Sequence, residues 1–577
     1  MMHSECSSAS SEDIDERSKL LPREGSINFN FVLSKIGNLG RFQVCLVLVA
    51  YLVPVPAGLH MIAPVFVEYT PDSWCALPPL DNRTLFPNLT AEHLKELVIP
   101  FSNSTNEYDK CQRYNYSLTS CNPGKLDCIS PYPPVSPLVT SMPCDEGHTF
   151  NNSLFNKTVV TEWGLVCDKA TLKSATDSIF FVGVLLGGVI GGSLGDRFGR
   201  VPGMFMSQLG VLVLGIGCSF SPTFASYVVI RFVMAAFIQA GYLICIVYVM
   251  EITGPKWRTL VGINVQTMFA VGAVIVSLFG MRFRDWRDLQ FYSSFVPALF
   301  CLLTPLLLES PMWLFSKGED ERAKNISETM AQRNGHLLSP DIWREATQTG
   351  ATQETKAGSV GVVEIFTRVR MRKITIELIF LWFVCTLVYY GLSYSVGTLS
   401  GSLFVNNILM SLVEPIGYVI IIPLMDRVGR KAVIFSPLLI GGVACLISTF
   451  VNNFAKPTVG VGTLVTAMSL IGKMCVAGAF AVLANYTVEL YPTVVRSTAS
   501  GLTIMGARLG AAIAPFTLEL RVIEPWISGT IFGILSLIAA FSSLWLPETL
   551  NKPMLTSLDE AERFYRGEKS EEDEKGC

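Results

Sequence analysis

A 577-residue chain that is 50% apolar and 16% charged, with a mean hydropathy of +0.43, departs from the usage of an average soluble protein, and lipid is its expected solvent. Its 44 basic and 47 acidic side chains leave a formal net charge of −3, which gives no global field for nucleic acid or an acidic partner. A phosphate-cradling loop with its Lys, a His or Cys spacing suited to a metal, and an ATP-binding domain are all missing from the pattern, so an enzyme is not expected and no cofactor is implied.

Residues 1–41 form a polar tail, expected in the cytosol, with no cleavable signal ahead of the first apolar run. Within it Glu16, followed by Leu20 and Leu21, has the spacing of an acidic dileucine sorting signal for an endocytic adaptor. The alternative is a tail with no address. The first membrane helix is expected over 42–64.

Residues 65–173 follow as a polar domain of about 105 residues before the second span, far longer than an ordinary connection. It holds Cys75, Cys111, Cys121, Cys128, Cys144 and Cys167, and glycosylation sequons at Asn82, Asn88, Asn103, Asn115, Asn151 and Asn156. That concentration predicts an extracellular, glycosylated domain with up to three disulfides whose pairing is left open.

Further apolar runs long enough to cross about 30 Å of hydrocarbon are read at 174–195, 202–220, 224–247, 259–280 and 289–308. A polar cytosolic segment at 309–373 with short helices comes next. The remaining runs are 374–396, 401–424, 432–451, 459–484, 497–518 and 526–546, followed by a cytosolic tail from 549 to 577. With the first span this predicts twelve membrane helices. The basic residues of the short loops fall on one side, which puts both termini in the cytosol. Arg282, Arg284 and Arg287 are exceptions on the opposite side, with Asp285 and Asp288 interleaved to offset them. Glycines 187, 188, 191 and 192 lie inside a span, where small residues let helices approach closely.

Three charged strings occur twice in the same order. Asp196-Arg197-Phe198-Gly199-Arg200 returns as Asp426-Arg427-Val428-Gly429-Arg430, Glu251 with Arg258 returns as Glu489 with Arg496, and Glu309 returns as Glu548. The duplication predicts two pseudo-symmetric six-helix halves that rock against each other. Glycine lets the chain reverse at each turn, and the acidic and basic groups can latch one conformation across the interface between the halves. The alternative is a set of weak surface ion pairs.

The strings Asn156 to Asp168, Gly192 to Arg200, Glu309 to Leu314, Tyr389 to Leu392 and Glu489 to Arg496 resemble, in order, signature strings of the organic cation, anion and carnitine (zwitterion) transporter family of the major facilitator superfamily. The resemblance covers about residues 36–555. It implies an all-α membrane protein with the major facilitator fold, a large outer loop after the first helix and a cytosolic segment after the sixth. Met312 stands where the family usually has Arg, and Val201 where a basic residue commonly closes the turn; both departures are expected to weaken the latch.

Ionisable residues inside spans are functional hypotheses by default. Arg508 is the first candidate for a carboxylate, which a guanidinium holds with two parallel hydrogen bonds. In the resembled family the matching position is basic in anion and carnitine-type members and acidic in typical cation members. Lys473 either adds positive potential to the cavity or pairs with Glu414 or Glu489. Glu414, followed by Pro415, either faces a substrate ammonium or pairs with Lys473. Trp382, Phe383, Tyr389, Tyr390, Phe480 and Tyr486 can present π-faces to an amine, of which Tyr389, Tyr390 and Phe480 match cavity positions of the family. Gln239, Tyr242 and Gln266 are further cavity candidates. His60 is expected to make a hydrogen-bonded helix contact.

The expected function is secondary transport of small organic ions by alternating access, with zwitterions such as carnitine- or betaine-like amines first, organic anions next and organic cations third. A non-transporting receptor or sensor is the reading of a different class. The expected partners are the substrate and the bilayer, with a monomer at the plasma membrane or, alternatively, an endosomal or lysosomal membrane. Sequence does not decide between Na⁺ coupling, H⁺ coupling and neither.

Overall fold

The computed structural model describes residues 29–76, 141–339, 362–492, 494–550 and 558–566, with short pieces of 92–130 and 342–346 and positions 552 and 555. Among the described residues, eleven helices are long and apolar enough to cross a membrane: α1 Arg41–Val67, α2 Cys167–Phe198, α3 Arg200–Ser219, α4 Phe224–Ile252, α5 Pro255–Arg282, α6 Trp286–Leu306, α7 Val369–Thr398, α8 Leu403–Val428, α9 Arg430–Phe454, α10 Val459–Leu490 and α11 Thr498–Val522. The twelfth expected span is the shorter helix α12, Ile527–Ser543. At 1.5 Å per residue it is about 25 Å long, less than the ~30 Å of a typical hydrocarbon core. The first span is broken into Arg41–Ala50, Val55–Ile62 and Pro64–Val67, as expected where prolines 54, 56 and 64 each remove a backbone donor.

Packing repeats with an offset of six helices. In the first half α1 packs on α5, α2 on α4, α3 on α4 and α3 on α6; in the second, α7 packs on α11, α8 on α10, α9 on α10 and α9 on α12. The halves meet through α2 against α11 and α5 against α8. Of the glycines in α2, Gly187 and Gly191 make the close approach: a Cβ on either would stand 2.6 Å from an α4 Cα, that of Ala236 or Ala240. Gly192 faces open space.

The duplicated strings build the same knot twice, each within one half. Arg200 pairs with Glu251 at 2.9 Å and Asp196 at 2.5 Å, and Glu309 accepts from the backbone N–H groups of Arg200 (2.9 Å) and Val201 (3.2 Å). In the copy, Arg430 pairs with Glu489 at 3.0 Å and Asp426 at 3.4 Å, and Glu548 accepts from Arg430 N (2.9 Å) and Lys431 N (3.0 Å). Both carboxylates sit at the positive end of a helix, α3 or α9. The turn glycines have φ of 105° and 104°, and a Cβ on Gly199 or Gly429 would meet the capping carboxylate at 2.5 or 2.6 Å.

This corrects the expected latch across the interface between the halves. Glu251 and Glu489 bind Arg200 and Arg430 of their own half, and not Arg258 and Arg496. Arg258 instead donates to the Met250 carbonyl (3.0 Å) and Asn30 (2.9 Å), and Arg496 to the Tyr491 carbonyl (3.2 Å), so each ties a helix-to-helix turn. Arg197 and Arg427 are exposed beside the knots. Because Glu309 uses backbone donors, the knot does not depend on the side chain at Val201; Met312 is exposed.

At the other end of the bundle, Cys75 bonds Cys144 and Cys111 bonds Cys167; Cys121 and Cys128 lie outside the described residues. The connected segment carries short two-stranded antiparallel pairs such as Ser73–Cys75 with His148–Phe150. It is pinned to α6 by Glu162, which accepts from Trp286 Nε1 and from Arg287 Nη2, both at 2.7 Å. Arg284 donates to the Leu154 carbonyl at 2.9 Å and lies over the Phe404 ring. These arginines therefore hold the domain, whereas Asp285 caps the start of α6. On this domain side the halves are joined by Ser174 to the Pro515 carbonyl and Ser178 to the Ala512 carbonyl, from α2 to α11. Tyr394 of α7 donates to the Met61 carbonyl of α1 at 3.0 Å, and Asn407 of α8 to Ser277 of α5 at 2.7 Å.

Two predictions follow from this packing. Gly191→Val forces α2 off α4, and a thermal-melt assay on purified protein should show a loss of about 1–3 kcal/mol, the range for overpacking. The two caps also differ in acid. Burial pushes the Glu309 carboxyl above its ordinary range, whereas at Glu548 the backbone donors Arg430 and Leu550 outweigh burial and hold it below. Glu548 therefore contributes stability that is present above its unfolded value and lost as pH falls through its lower folded value, and Glu309 has the opposite sign. Glu548→Gln should lower the melting temperature at neutral pH more than Glu309→Gln, and the gap should close on acidification.

Candidate functional site

A cavity between the halves encloses about 600 Å³ of empty space, its open mouth included. Its wall takes Ala57 and Met61 from α1, Gln239 and Tyr242 from α4, and Gln266 and Phe269 from α5. The second half supplies Thr386, Tyr389 and Tyr390 from α7, Tyr418 from α8, Phe480 from α10 and Arg508 from α11. Spacings of three and four residues put 239 with 242, 266 with 269, and 386 with 389 and 390 on single helix faces.

Half of this wall is aromatic. Tyr389 and Tyr390 meet edge-on at 5.2 Å, Phe181 meets Tyr390 at 4.6 Å, and Tyr389 lies 6.4 Å from Phe480. Arg508 stands among them with no hydrogen bond or ion pair to any described residue, its field shared with Tyr390 and Tyr242. A guanidinium has five donors, and in low dielectric leaving them unmatched is costly unless water or a ligand reaches them.

Lys473 and Glu414 are placed differently. Lys473 is 1% exposed and Glu414 3%, and they pair at 3.2 Å behind Tyr389. The ammonium also donates to Ser393 Oγ (2.5 Å) and lies 3.0 Å from the centre of the Tyr389 ring, while Tyr389 OH donates to Glu414 Oε1 at 2.8 Å. Of the alternatives that the sequence left open, the geometry has the internal pair. Helix α8 runs on through Pro415, so the proline does not turn Glu414 into the cavity.

Trp382 is also behind the wall, donating to Thr487 Oγ1 at 3.1 Å and packing edge-on against Phe480 at 4.9 Å. Tyr486 is buried with its hydroxyl on the Pro547 carbonyl, and Phe383 packs outside the cavity lining. His60 is buried, and neither ring nitrogen has a partner among the described residues, contrary to the expected helix contact. Sequence reasoning missed Met61, Phe269, Thr386 and Tyr418 on the wall, and the buried charges Glu68, Asp177 and Arg231. The last two lie inside expected spans, so the rule that singled out Arg508 applied to them as well.

Comparison with known proteins gives one answer. The sequence profile described as Sugar (and other) transporter matches residues 107–560. Solute carrier family 22 member 16 of Bos taurus is 32% identical over 93% of this chain and 94% of its own length. The protein of the same name from Xenopus laevis is 31% identical over 91% and 93%, and the Organic cation transporter protein of Drosophila melanogaster 30% over 93% and 95%. Among solved structures, the xylose transporter XylE from E. coli, in a partially occluded inward open conformation, superposes with a TM-score of 0.58 at 15% identity, covering 88% of this chain and 98% of its own. The matched strings, the twofold knot and these relatives together make the chain a multi-pass membrane transporter of the major facilitator superfamily, belonging to the organic cation, anion and zwitterion transporters of solute carrier family 22.

Proposed function

We propose that this transporter carries small organic ions bearing a carboxylate, zwitterions of the carnitine or betaine type first, by exposing the central cavity to each side of the membrane in turn. The carrying observation is the Arg508 guanidinium, which no described residue pairs, standing in an aromatic wall. A carboxylate can take two parallel hydrogen bonds from it. The positive end of a zwitterion would meet the faces of Tyr389, Tyr390 and Phe480, because the carboxylate of Glu414 is committed to Lys473 and Tyr389. Organic anions without an ammonium are the second reading, favoured by the same geometry: the one unmatched charge of the wall is positive. Organic cations are the third, supported by the name of the Drosophila relative and by the π-faces.

In this proposal the disulfide-bearing side is extracellular, the termini and both knots are cytosolic, and the protein works at the plasma membrane as a monomer. Joined as they are on the domain side, the halves are closed there, which in this proposal corresponds to the inward-facing stage of the cycle. The knots act as gating elements by keeping each half rigid while the seam between halves moves. The sorting residues Glu16, Leu20 and Leu21 lie outside the described residues, as do Asn82, Asn88, Asn103 and Asn115. Asn151 and Asn156 are both exposed on the domain side, where glycan acceptors must be reachable.

Uptake of labelled L-carnitine, benzoate and tetraethylammonium into vesicles carrying the purified protein tests the reading. L-carnitine is expected to enter fastest. Arg508→Ala should cut uptake of both carboxylates by about 10- to 100-fold, the equivalent of ~1.5–3 kcal/mol for a charged hydrogen-bonded pair, and should leave tetraethylammonium uptake unchanged or raised. Unchanged carboxylate uptake in that variant sinks the assignment, and no uptake of any probe by the unaltered protein favours the receptor reading. Separately, Asn151→Gln and Asn156→Gln should each increase the gel mobility of protein from a secretory host by one glycan, and enzymatic deglycosylation should abolish the difference.

A further inference from the structure

A second group of buried charges lies in the first half, apart from the cavity wall. Arg231 of α4 bonds Glu68, the residue that ends α1, at 2.6 Å, and Tyr227 OH donates to the same carboxylate oxygen at 2.9 Å. Asp177 of α2 shares the field of this pair. Glu68 is 0% exposed, Arg231 3% and Asp177 5%. Their hydrogen bonding is incomplete: Glu68 Oε2, Asp177 Oδ1, Arg231 Nε and Nη2 and both ring nitrogens of His60 are buried without a partner among the described residues.

Charge bookkeeping defines the problem. Two carboxylates against one guanidinium leave a surplus negative charge in a site shielded from water, and an unbalanced buried ion costs several kcal/mol. Nearby groups offset it only in part. Lys173, one turn before Asp177 on α2, acts on it from a half-buried position where its ammonium donates to Thr70 at 3.0 Å and water screens the charge. Cys218 of α3 is buried and uncharged in its thiol form, and Arg287 of α6 is engaged by Glu162. From α7 the cluster faces the phenol of Tyr394, and α11 presents the carbonyls of Ala512 and Pro515. Among the described residues, no group of three or more His, Cys, Asp or Glu is arranged to hold a metal ion, whereas a single buried carboxylate can take up a proton without further ligands.

The position of Asp177 gives such a proton a consequence. Its α2 neighbours Ser174 and Ser178 make the domain-side bonds to α11, and Tyr394, coupled to the cluster, donates to the Met61 carbonyl across the other seam. Asp177 thus lies beside the contacts that close the domain side. We infer that the Glu68–Asp177–Arg231 cluster binds one proton when the domain side closes and releases it when that side opens, so that proton occupancy biases the conformational cycle. The step moves a proton from water to a carboxylate oxygen and back. It stands independently of which organic ion is carried.

Hydrogen–deuterium exchange of the full-length protein in lipid nanodiscs, corrected for intrinsic exchange rates, tests this by comparing about pH 6 with about pH 8. Peptides from the domain-side ends of α2 and α11 are expected to be protected several-fold more at the lower pH. Asp177→Asn, which mimics the protonated form, should be protected at both values. Glu68→Gln leaves Arg231 to Asp177 alone and should move the change to lower pH. The inference is overturned by protection that does not depend on pH in the unaltered protein, by an Asp177→Asn variant that keeps the original dependence, or by no displacement in Glu68→Gln. The first of these outcomes needs no variant to fold.

Discussion

In hydrocarbon and at its edge, an ionised side chain must find an opposite charge or water, and that constraint places most of the charged residues described in this bundle. Arg200 has Glu251 and Asp196; Arg430 has Glu489 and Asp426; Lys473 has Glu414. Each pair is locked by a further donor or acceptor: a helix N-terminus, a hydroxyl or an aromatic face. Once these are matched, the polar ends of helices and the tight helix contacts at Gly187 and Gly191 can form without leaving a naked charge. Arg508 falls outside the pairing scheme, and it is the one that lines the cavity. The same constraint thus builds the scaffold and exposes the binding group.

Much of this architecture is legible in the chain. The repeat can be read because Gly199 and Gly429 must both adopt positive φ, and the carboxylates of Glu309 and Glu548 must both reach the helix start that follows. A physical requirement imposed twice leaves the same letters twice. The helix spans are legible because their apolar runs are long, though α12 ends sooner than its hydropathy suggests. Partner choice is not legible. Glu251 lies seven positions from Arg258 in sequence, about two turns in one helix, but a break between α4 and α5 intervenes, and Arg200 approaches from a neighbouring helix instead. Charge type says that a pair is needed, whereas only the rotation of each helix says with whom.

The same distinction governs the site. Tyr389, Tyr390, Phe480, Gln239, Tyr242, Gln266 and Arg508 reach the wall as the sequence suggested. Lys473 and Glu414 were recognisable as special because lipid tolerates neither alone, yet their spacing is equally compatible with facing a substrate or facing each other. The ring of Tyr389 decides it by standing between the pair and the cavity. Its hydroxyl binds Glu414 and its face covers the ammonium, so one aromatic side chain both closes off an ion pair and presents a surface to the ligand. A perturbation of that pair would reach the cavity through the orientation of this ring.

Motion then has a limited choice of hinges. The knots, α2 on α4 and α8 on α10 join elements of the same half, and breaking them would expose buried charge or open a helix contact at backbone distance. The seams are made differently. Ser174, Ser178, Tyr394 and Asn407 donate across them to carbonyls or to another hydroxyl, and such neutral bonds exchange for water at a net cost of about 1 kcal/mol each. Buried ion pairs are far more expensive to separate than these. Relative stiffness is therefore set by bond chemistry: charged contacts hold each six-helix unit together, and neutral ones let the two units part. The outer domain is fastened to the first half by Glu162, bonded to α6, and by Cys111–Cys167 on α2, whereas it meets α8 of the second half through the ring of Phe155 against Phe404, an apolar contact that carries no ion pair. It can travel with one unit as a rigid attachment while the seam beside it opens and closes.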